Sequence, residues 1–374
     1  VTETAVSPWR FYGYFLWLGA TGFGGPVALV GFMQRDLVDD RRWISREDYL
    51  DGLALAQLAP GPLAAQLAMY LGYVHGGVPG ATLVALLFVL PSFLIVWALS
   101  VLYVRFGGLP WMQGLFYGIG AVVIAIIARS AVKLARLTLG KRRLLWAIFA
   151  AMALSTAWTE REDASLVLAA GALTLAVAQR RSAAAPGTAA VLAGMTPLAG
   201  AATPTLAGLF WFFVKAGAFV FGSGLAIVPF LYGEVVTAQG WLDHRQFLDA
   251  VAVAMITPGP VVITVAFIGY LIAGARGMAV AALGVFLPVY LLVVLPAPYF
   301  RRHRSQPVVK AFIDGVTAAA TGAIAGAAIV LASRAIVDGW TALMALLALG
   351  VLTRFRISEL WVIAAAGAAG LALG

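Results

Sequence analysis

Apolar stretches close to the ~20 residues a helix needs to cross the hydrocarbon of a bilayer, set apart by short charged islands, run through nearly the whole chain. They cover residues 11–33, 49–73, 78–103, 109–139, 144–158 and 164–178, and a second series covers 205–232, 247–273, 278–300, 308–335, 340–352 and 357–373. With 62% hydrophobic and 11% charged residues, and a mean hydropathy of +0.96, the chain cannot dress a soluble globule of its 374 residues in polar surface. In lipid every backbone amide must be satisfied within its own segment, so the fold class is an all-α polytopic membrane protein. The net charge of +9 does not point to nucleic acid, because the Lys and Arg gather in the islands, as in cytoplasmic loops. Residues 1–8 include Glu3 and lack the pattern of a cleaved leader, so the first apolar segment is expected to stay as an anchor. With no cysteine there is no thiolate metal site, disulfide or Cys nucleophile; the three His lack ligand spacing, and no nucleotide-binding or hydrolase motif occurs.

The two series are copies. Phe23-Gly24, Asp36, Trp43, Asp51 and Pro60-Gly61-Pro62 recur 198 positions later as Phe221-Gly222, Glu234, Trp241, Asp249 and Pro258-Gly259-Pro260. After one deletion the spacing is 197, pairing Gly72-Tyr73 with Gly269-Tyr270, Pro91 with Pro288 and Gly118 with Gly315. This divides the chain into an N-terminal transporter repeat, 1–180, a linker or extra span, 181–204, and a C-terminal repeat, 205–374. The strongly basic island of the first copy (Lys133, Arg136, Lys141, Arg142, Arg143) follows its fourth segment, whereas that of the second (Arg301, Arg302, Arg304, Lys310) precedes it. If basic loops stay in the cytoplasm, the copies are inverted relative to each other. Thirteen full spans satisfy that inversion, and so does a chain whose first two segments in each half are broken or re-entrant; we favour the latter.

The reason lies in Gly22-Phe23-Gly24-Gly25-Pro26 with its counterpart Phe221-Gly222-Ser223-Gly224, and in Pro60-Gly61-Pro62 with its counterpart Pro258-Gly259-Pro260. Dense Gly and φ-locked Pro interrupt a helix, and an interruption in hydrocarbon is tolerated only where the freed backbone faces protein, water or ligand. Half-helix N-termini starting there present unpaired N–H groups and the positive end of the dipole, which suits a small anion. The expected substrate-binding groups are therefore Gly24, Gly25, Gly61, Gly222, Ser223 and Gly259, together with Lys215, a cation inside an apolar segment whose repeat mate is Trp17, and the polar Gln57 and Thr257. Gln66 and Thr264 are further donors, although any of these side chains can instead bond a neighbouring helix backbone. Asp51, Asp249 and Asp314 are carboxylates for proton or ion coupling, weighed against simple capping and interface roles. Trp43 and Trp241 are expected to anchor at the membrane surface. No metal or cofactor is expected, and catalysis is not: the partners are a small oxyanion and lipid, with a homodimer left open.

The string Phe23-Gly24-Gly25-Pro26, Arg41-Arg42-Trp43, Leu58-Ala59-Pro60-Gly61-Pro62, Gly72-Tyr73, Gly80 and Phe88-Val89-Leu90-Pro91 resembles the chromate ion transporter family. Lys215-Ala216-Gly217, Phe221 to Gly224, Gly240-Trp241-Leu242, Thr257 to Pro260, Phe267 to Tyr270 and Phe286-Leu287-Pro288 resemble the second half of its two-domain members. The likeness covers nearly all of the chain outside the linker and termini. It implies export of chromate across the inner membrane and chromate resistance, driven by the membrane potential or an ion gradient, with sulfate as a look-alike substrate. Ser223 and Ala59 depart from the usual Gly and Leu and leave substrate preference open.

Overall fold

The computed structural model describes residues 7–23, 25–106, 109–159, 164–181, 205–219, 227–300, 307–355, 357 and 359–373. Among these there is no strand. The first half contains α1 (Pro8–Thr21), α2 (Gly25–Met33), α3 (Arg46–Leu58), α4 (Leu63–Phe106), α5 (Pro110–Leu139), α6 (Arg143–Thr159) and α7 (Ala164–Arg181). The second contains α8 (Leu206–Phe219), α9 (Ile227–Leu231), α10 (His244–Ile256), α11 (Thr264–Val294), the single turn α12 (Ala297–Phe300), α13 (Pro307–Ala335), α14 (Gly339–Arg354) and α15 (Glu359–Leu373). The repeat holds in detail: a π-helical segment at Gln34–Asp40 returns at Tyr232–Ala238. The non-helical pair Gly76 (φ −146°, ψ 24°) and Gly77 (φ 61°, ψ −150°) inside α4 returns inside α11 as Ala273 (φ −143°, ψ 29°) and Gly274 (φ 60°, ψ −153°).

Each half opens with hairpins. Gly52 of α3 packs on Leu67 and Tyr70 of α4, at matched distances from the Pro60-Gly61-Pro62 interruption, so the chain turns back there. Tyr14 of α1 donates to Asp36 at 3.2 Å, and Gly22 packs on Leu29, so α1 and α2 also fold back on each other. At Gly76-Gly77 the chain reverses again, bringing Gly72 against Gly80 and Val84. The apolar segment 49–73 is thus re-entrant, and a count of thirteen full spans fails. The reason is local: the residue before a proline is pushed out of the helical region, and Ala59 (φ −85°, ψ 143°) and Thr257 (φ −93°, ψ 132°) are both extended ahead of Pro60 and Pro258. α3 and α10 begin from side-chain caps, Ser45 on the Asp48 amide at 3.0 Å and a reciprocal Asp243–Gln246 box.

Among the described residues four stretches are long and apolar enough to cross a membrane, Leu63–Phe106, Pro110–Lys133, Val261–Tyr299 and Asp314–Ala335, the first and third interrupted at Gly76-Gly77 and Ala273-Gly274. The two halves lie head to tail. Arg142, after the C-terminal end of α5, pairs with Asp314 near the start of α13, while Tyr117 near the start of α5 bonds Asp338 just beyond the end of α13. α5 therefore runs antiparallel to its repeat mate, which places the Lys141-Arg142-Arg143 island and the N-terminal end of α13 on one face. Packing is exchanged between halves: α5 contacts α14 and α15, and α13 contacts α6 and α7. Small residues allow this, as where Gly322 and Gly326 of α13 meet Phe149 and Ala153 of α6, and Gly114 and Gly118 of α5 meet Gly370 and Ala366 of α15.

Candidate functional site

The interruptions of the two halves meet deep in the protein. The Gly259 amide donates to the carbonyl of Gly22 at 2.9 Å, tying the break between α10 and α11 to the break after α1. Gly259 has φ +93° and Gly61 φ +138°, backbone that a side chain strains to adopt. A Cβ on Gly259 would collide with Ser92 Oγ and stand 3.2 Å from the Gly19 carbonyl; one on Gly61 would stand 2.6 Å from Gln66 Nε2 and 3.2 Å from Val289. Ser92 and Val289 are repeat mates, each one residue past the helix-interior Pro91 or Pro288, so both breaks press on equivalent points of the long helices.

Polar atoms at this junction are few and buried. Gln66 and Ser92 are each 0% exposed. Gln66 Nε2 donates to the Pro60 carbonyl at 2.7 Å and the Ala59 carbonyl at 3.3 Å, capping the C-terminal end of α3. Its Oε1 and the Ser92 Oγ have no hydrogen-bond partner among the described residues. A buried polar atom left unmet is uncommon and costs about 1–3 kcal/mol, so its persistence calls for a ligand or solvent. The first intrahelical bond of α4 runs from the Gln66 amide to the Pro62 carbonyl at 3.0 Å, so the amides of Leu63, Ala64 and Ala65 belong to a helix start whose donors have no intrahelical acceptor. Ser92 Oγ against Gly259 and Gln66 at the Gly61 break thus mark two repeat-related contacts, and of the two unmet atoms only the Ser92 hydroxyl can donate to an anion's oxygen.

The sequence-derived residues divide into several groups. Gly259 lies at the junction with its amide committed to Gly22 rather than open to a ligand, and Gly61 sits at the repeat-related contact with Val289. Gly25 begins α2 beside it. Gly24, Gly222 and Ser223 lie outside the described residues. Thr257 is buried and donates to its own helix, to the Val253 carbonyl at 2.7 Å, and Thr264 likewise to Val261 at 2.7 Å, the backbone-bonding alternative. Gln57 is exposed. Lys215 is half-buried on α8, which packs through Leu209, Phe213, Ala216 and Gly217; Lys215 lies off that stripe, near exposed Trp211, and no described contact joins it to the junction. Asp314, two turns into α13, pairs with Arg142 of the neighbouring basic island, with 23% of its side chain exposed. Asp51 is half-buried, while Asp249 is 5% exposed and accepts from Tyr103 Oη at 2.7 Å. Trp241, expected as a surface anchor, is half-buried and packs on Phe212 at 5.2 Å with its Nε1 buried. Among the described residues no three His, Cys, Asp or Glu gather in a metal-binding cluster.

Ser92 is the residue sequence reasoning missed. Its signal was present: a hydroxyl beside a repeat-related proline where the other copy has Val289, the same kind of mismatch that drew attention to Lys215 and Trp17.

A second polar feature lies at the mouth opposite the basic islands. A cavity of about 460 Å³ opens among Gln113 and Tyr117 of α5, His244, Arg245 and Asp249 of α10, and Arg334 of α13.

The family profile described as "Chromate transporter" matches residues 9–201 and 207–371. A "Chromate transport protein" of Cupriavidus metallidurans is 58% identical over 96% of this chain and 91% of its own length. A "Probable chromate transport protein" of Synechococcus elongatus is 57% identical over 90% of this chain and 87% of its own. The "Chromate transport protein" of Pseudomonas aeruginosa is 33% identical over 99% and 94%. No solved structure matches the chain.

Proposed function

The chain belongs to the chromate transporter family, and from that premise we propose that it exports chromate from the cytoplasm as a secondary transporter working by alternating access. The observation that carries the proposal is the junction where the Gly259 amide meets the Gly22 carbonyl beside the buried, unpartnered Ser92 hydroxyl. The Ser92 hydroxyl and the N-terminal amides of α4 and α11 would grip the oxygens of a tetrahedral dianion, with Gly24, Gly25, Gly61, Gly222, Ser223 and Gly259 supplying the close backbone approach. Lys215 would add long-range attraction from α8, and Asp51 and Asp249, at matching positions of the two halves, would serve ion coupling. Two inverted halves joined at one central point can open alternately to either side, because each conformation of one half has its mirror in the other. The Lys141-Arg142-Arg143 island, on the face where α13 begins, supports the reading that this face is the cytoplasmic one of an inner membrane.

Sulfate or another tetrahedral oxyanion is the second reading, favoured by the junction itself: a hydroxyl and backbone amides read shape and charge, not the central atom. Chromate uptake into inside-out vesicles tests both readings. Ser92→Ala is expected to raise the half-saturating concentration of chromate, with labelled sulfate as competitor; an unchanged concentration dependence would remove Ser92 and its junction from the transport path.

A further inference from the structure

Two arginines and one buried carboxylate line the cavity at the mouth bounded by α5, α10 and α13. Among the described residues Arg245 and Arg334 line it, from α10 and α13, with one carboxylate, Asp249, which is 5% exposed and engaged by Tyr103 at 2.7 Å. Arg245 has no described hydrogen bond or ion pair, and the Tyr117 hydroxyl is held by Asp338. Gln113 supplies an amide on the α5 wall, and His244 is tied to Tyr232 Oη at 2.7 Å. The repeat provides an internal control. At the equivalent inner positions the chain has Arg46 for His244, Glu47 for Arg245, Asp51 for Asp249, Lys310 for Gln113, Asp314 for Tyr117 and Leu137 for Arg334, with Asp314 paired to Arg142. Those matched positions carry two cations and three carboxylates, against two arginines and one carboxylate lining this cavity, so the balance of charge differs between the copies.

We propose that this vestibule is a second oxyanion site, separate from the central junction, at which Arg245 and Arg334 hold a tetrahedral dianion on the face opposite the basic islands. Guanidinium forks match pairs of oxyanion oxygens, and at about 460 Å³ the cavity is roomy enough for the ion to keep part of its water shell. An ion held in this way exchanges readily with the medium, so the site gathers or hands off substrate where the path ends. The inference rests on reading the central junction as an oxyanion path.

The absence of cysteine from the chain makes the test direct. Gln113→Cys introduces a single thiol in the cavity wall, to be modified by a membrane-impermeant thiol reagent in right-side-out vesicles. Sulfate is the probe, because it has the shape and charge of chromate without oxidising thiols. Sulfate at ten times its dissociation constant is expected to slow modification about tenfold, by simple occupancy. That protection should vanish when Arg245→Gln and Arg334→Gln are added, and persist in part with Lys at both positions, a pair that also shows the cavity to be intact. Four results would overturn the site: modification without protection, protection indifferent to the Gln pair, equal protection by chloride at matched ionic strength, or modification only in inside-out vesicles. Sulfate protection in a protein that moves no chromate would keep the vestibule and discard the transport reading. Chromate uptake that depends on Ser92, with no protection of the thiol, would do the reverse.

Discussion

Replacing Gly259 by Ala adds one methyl at the point where the two halves meet. Two penalties follow from the geometry. The backbone sits at φ +93°, where a residue with a Cβ is strained by about 1–3 kcal/mol. The new Cβ also collides with Ser92 Oγ and lies 3.2 Å from the Gly19 carbonyl, an overpacking that costs about 1–3 kcal/mol in a tight interior. Together they should destabilise the folded protein by about 2–6 kcal/mol. Adding Ser92→Gly removes the collision and leaves the backbone strain, so the double variant should recover part of the loss but not all of it. Denaturant titration of the purified protein in mild detergent gives the four corners of this cycle, and chromate uptake by vesicles should fall in step with stability at the junction. Gly61→Ala offers a contrast: its Cβ meets the movable end of Gln66 at 2.6 Å, so its cost should come mainly from φ +138° and the displaced Gln66 cap. Equal stability of Gly259→Ala and the parent, or a double variant no better than the single, would refute the close approach described here.

Tyr103→Phe should cost about 1–3 kcal/mol, because it leaves the buried Asp249 carboxylate short of a donor, and a denaturation midpoint unchanged from wild type would contradict that contact. Asp338 caps α14 through the Thr341 amide at 2.8 Å, and this bond, with the Tyr117 hydroxyl second, holds its carboxyl below the ordinary range. Its contribution is therefore present above the unfolded carboxylate value of about 4 and lost as pH falls through the lower folded value, so thermal midpoints of wild type and Asp338→Ala should differ at neutral pH and converge in acid. Single cysteines at Arg105 and Lys141 should be modified from opposite sides of the membrane, since they flank the ends of α5; modification from one side would undo the topology.

Much of this architecture could be read from the sequence because its signals are repetitive. The apolar lengths, the fixed offset and the prolines are properties of single segments, and the conformations of Ala59 and Thr257 follow from the proline behind each. The inversion was visible in the displaced basic islands and is realised in the antiparallel contact of α5 and α13. What sequence could not supply is which donors remain open after folding. The Gly259 amide, nominally a ligand group, finds an acceptor in the other half; Thr257 and Thr264 bond backbone within reach; Asp314 meets an arginine brought close by the fold. Ser92 shows the opposite case, a hydroxyl in an otherwise unremarkable helix that packing leaves unanswered.

The exchange of partners between halves bears on how the molecule is made. Because α5 lies against α14 and α15, and α13 against α6 and α7, neither copy owns a complete interior. During synthesis the first half must wait in the bilayer with its contact surfaces bare until the second, entering in the reverse sense, closes over them. A gene fragment encoding one half alone would need a second polypeptide inserted upside down beside it, so dual insertion, rather than simple dimer formation, is the condition under which such a half could assemble.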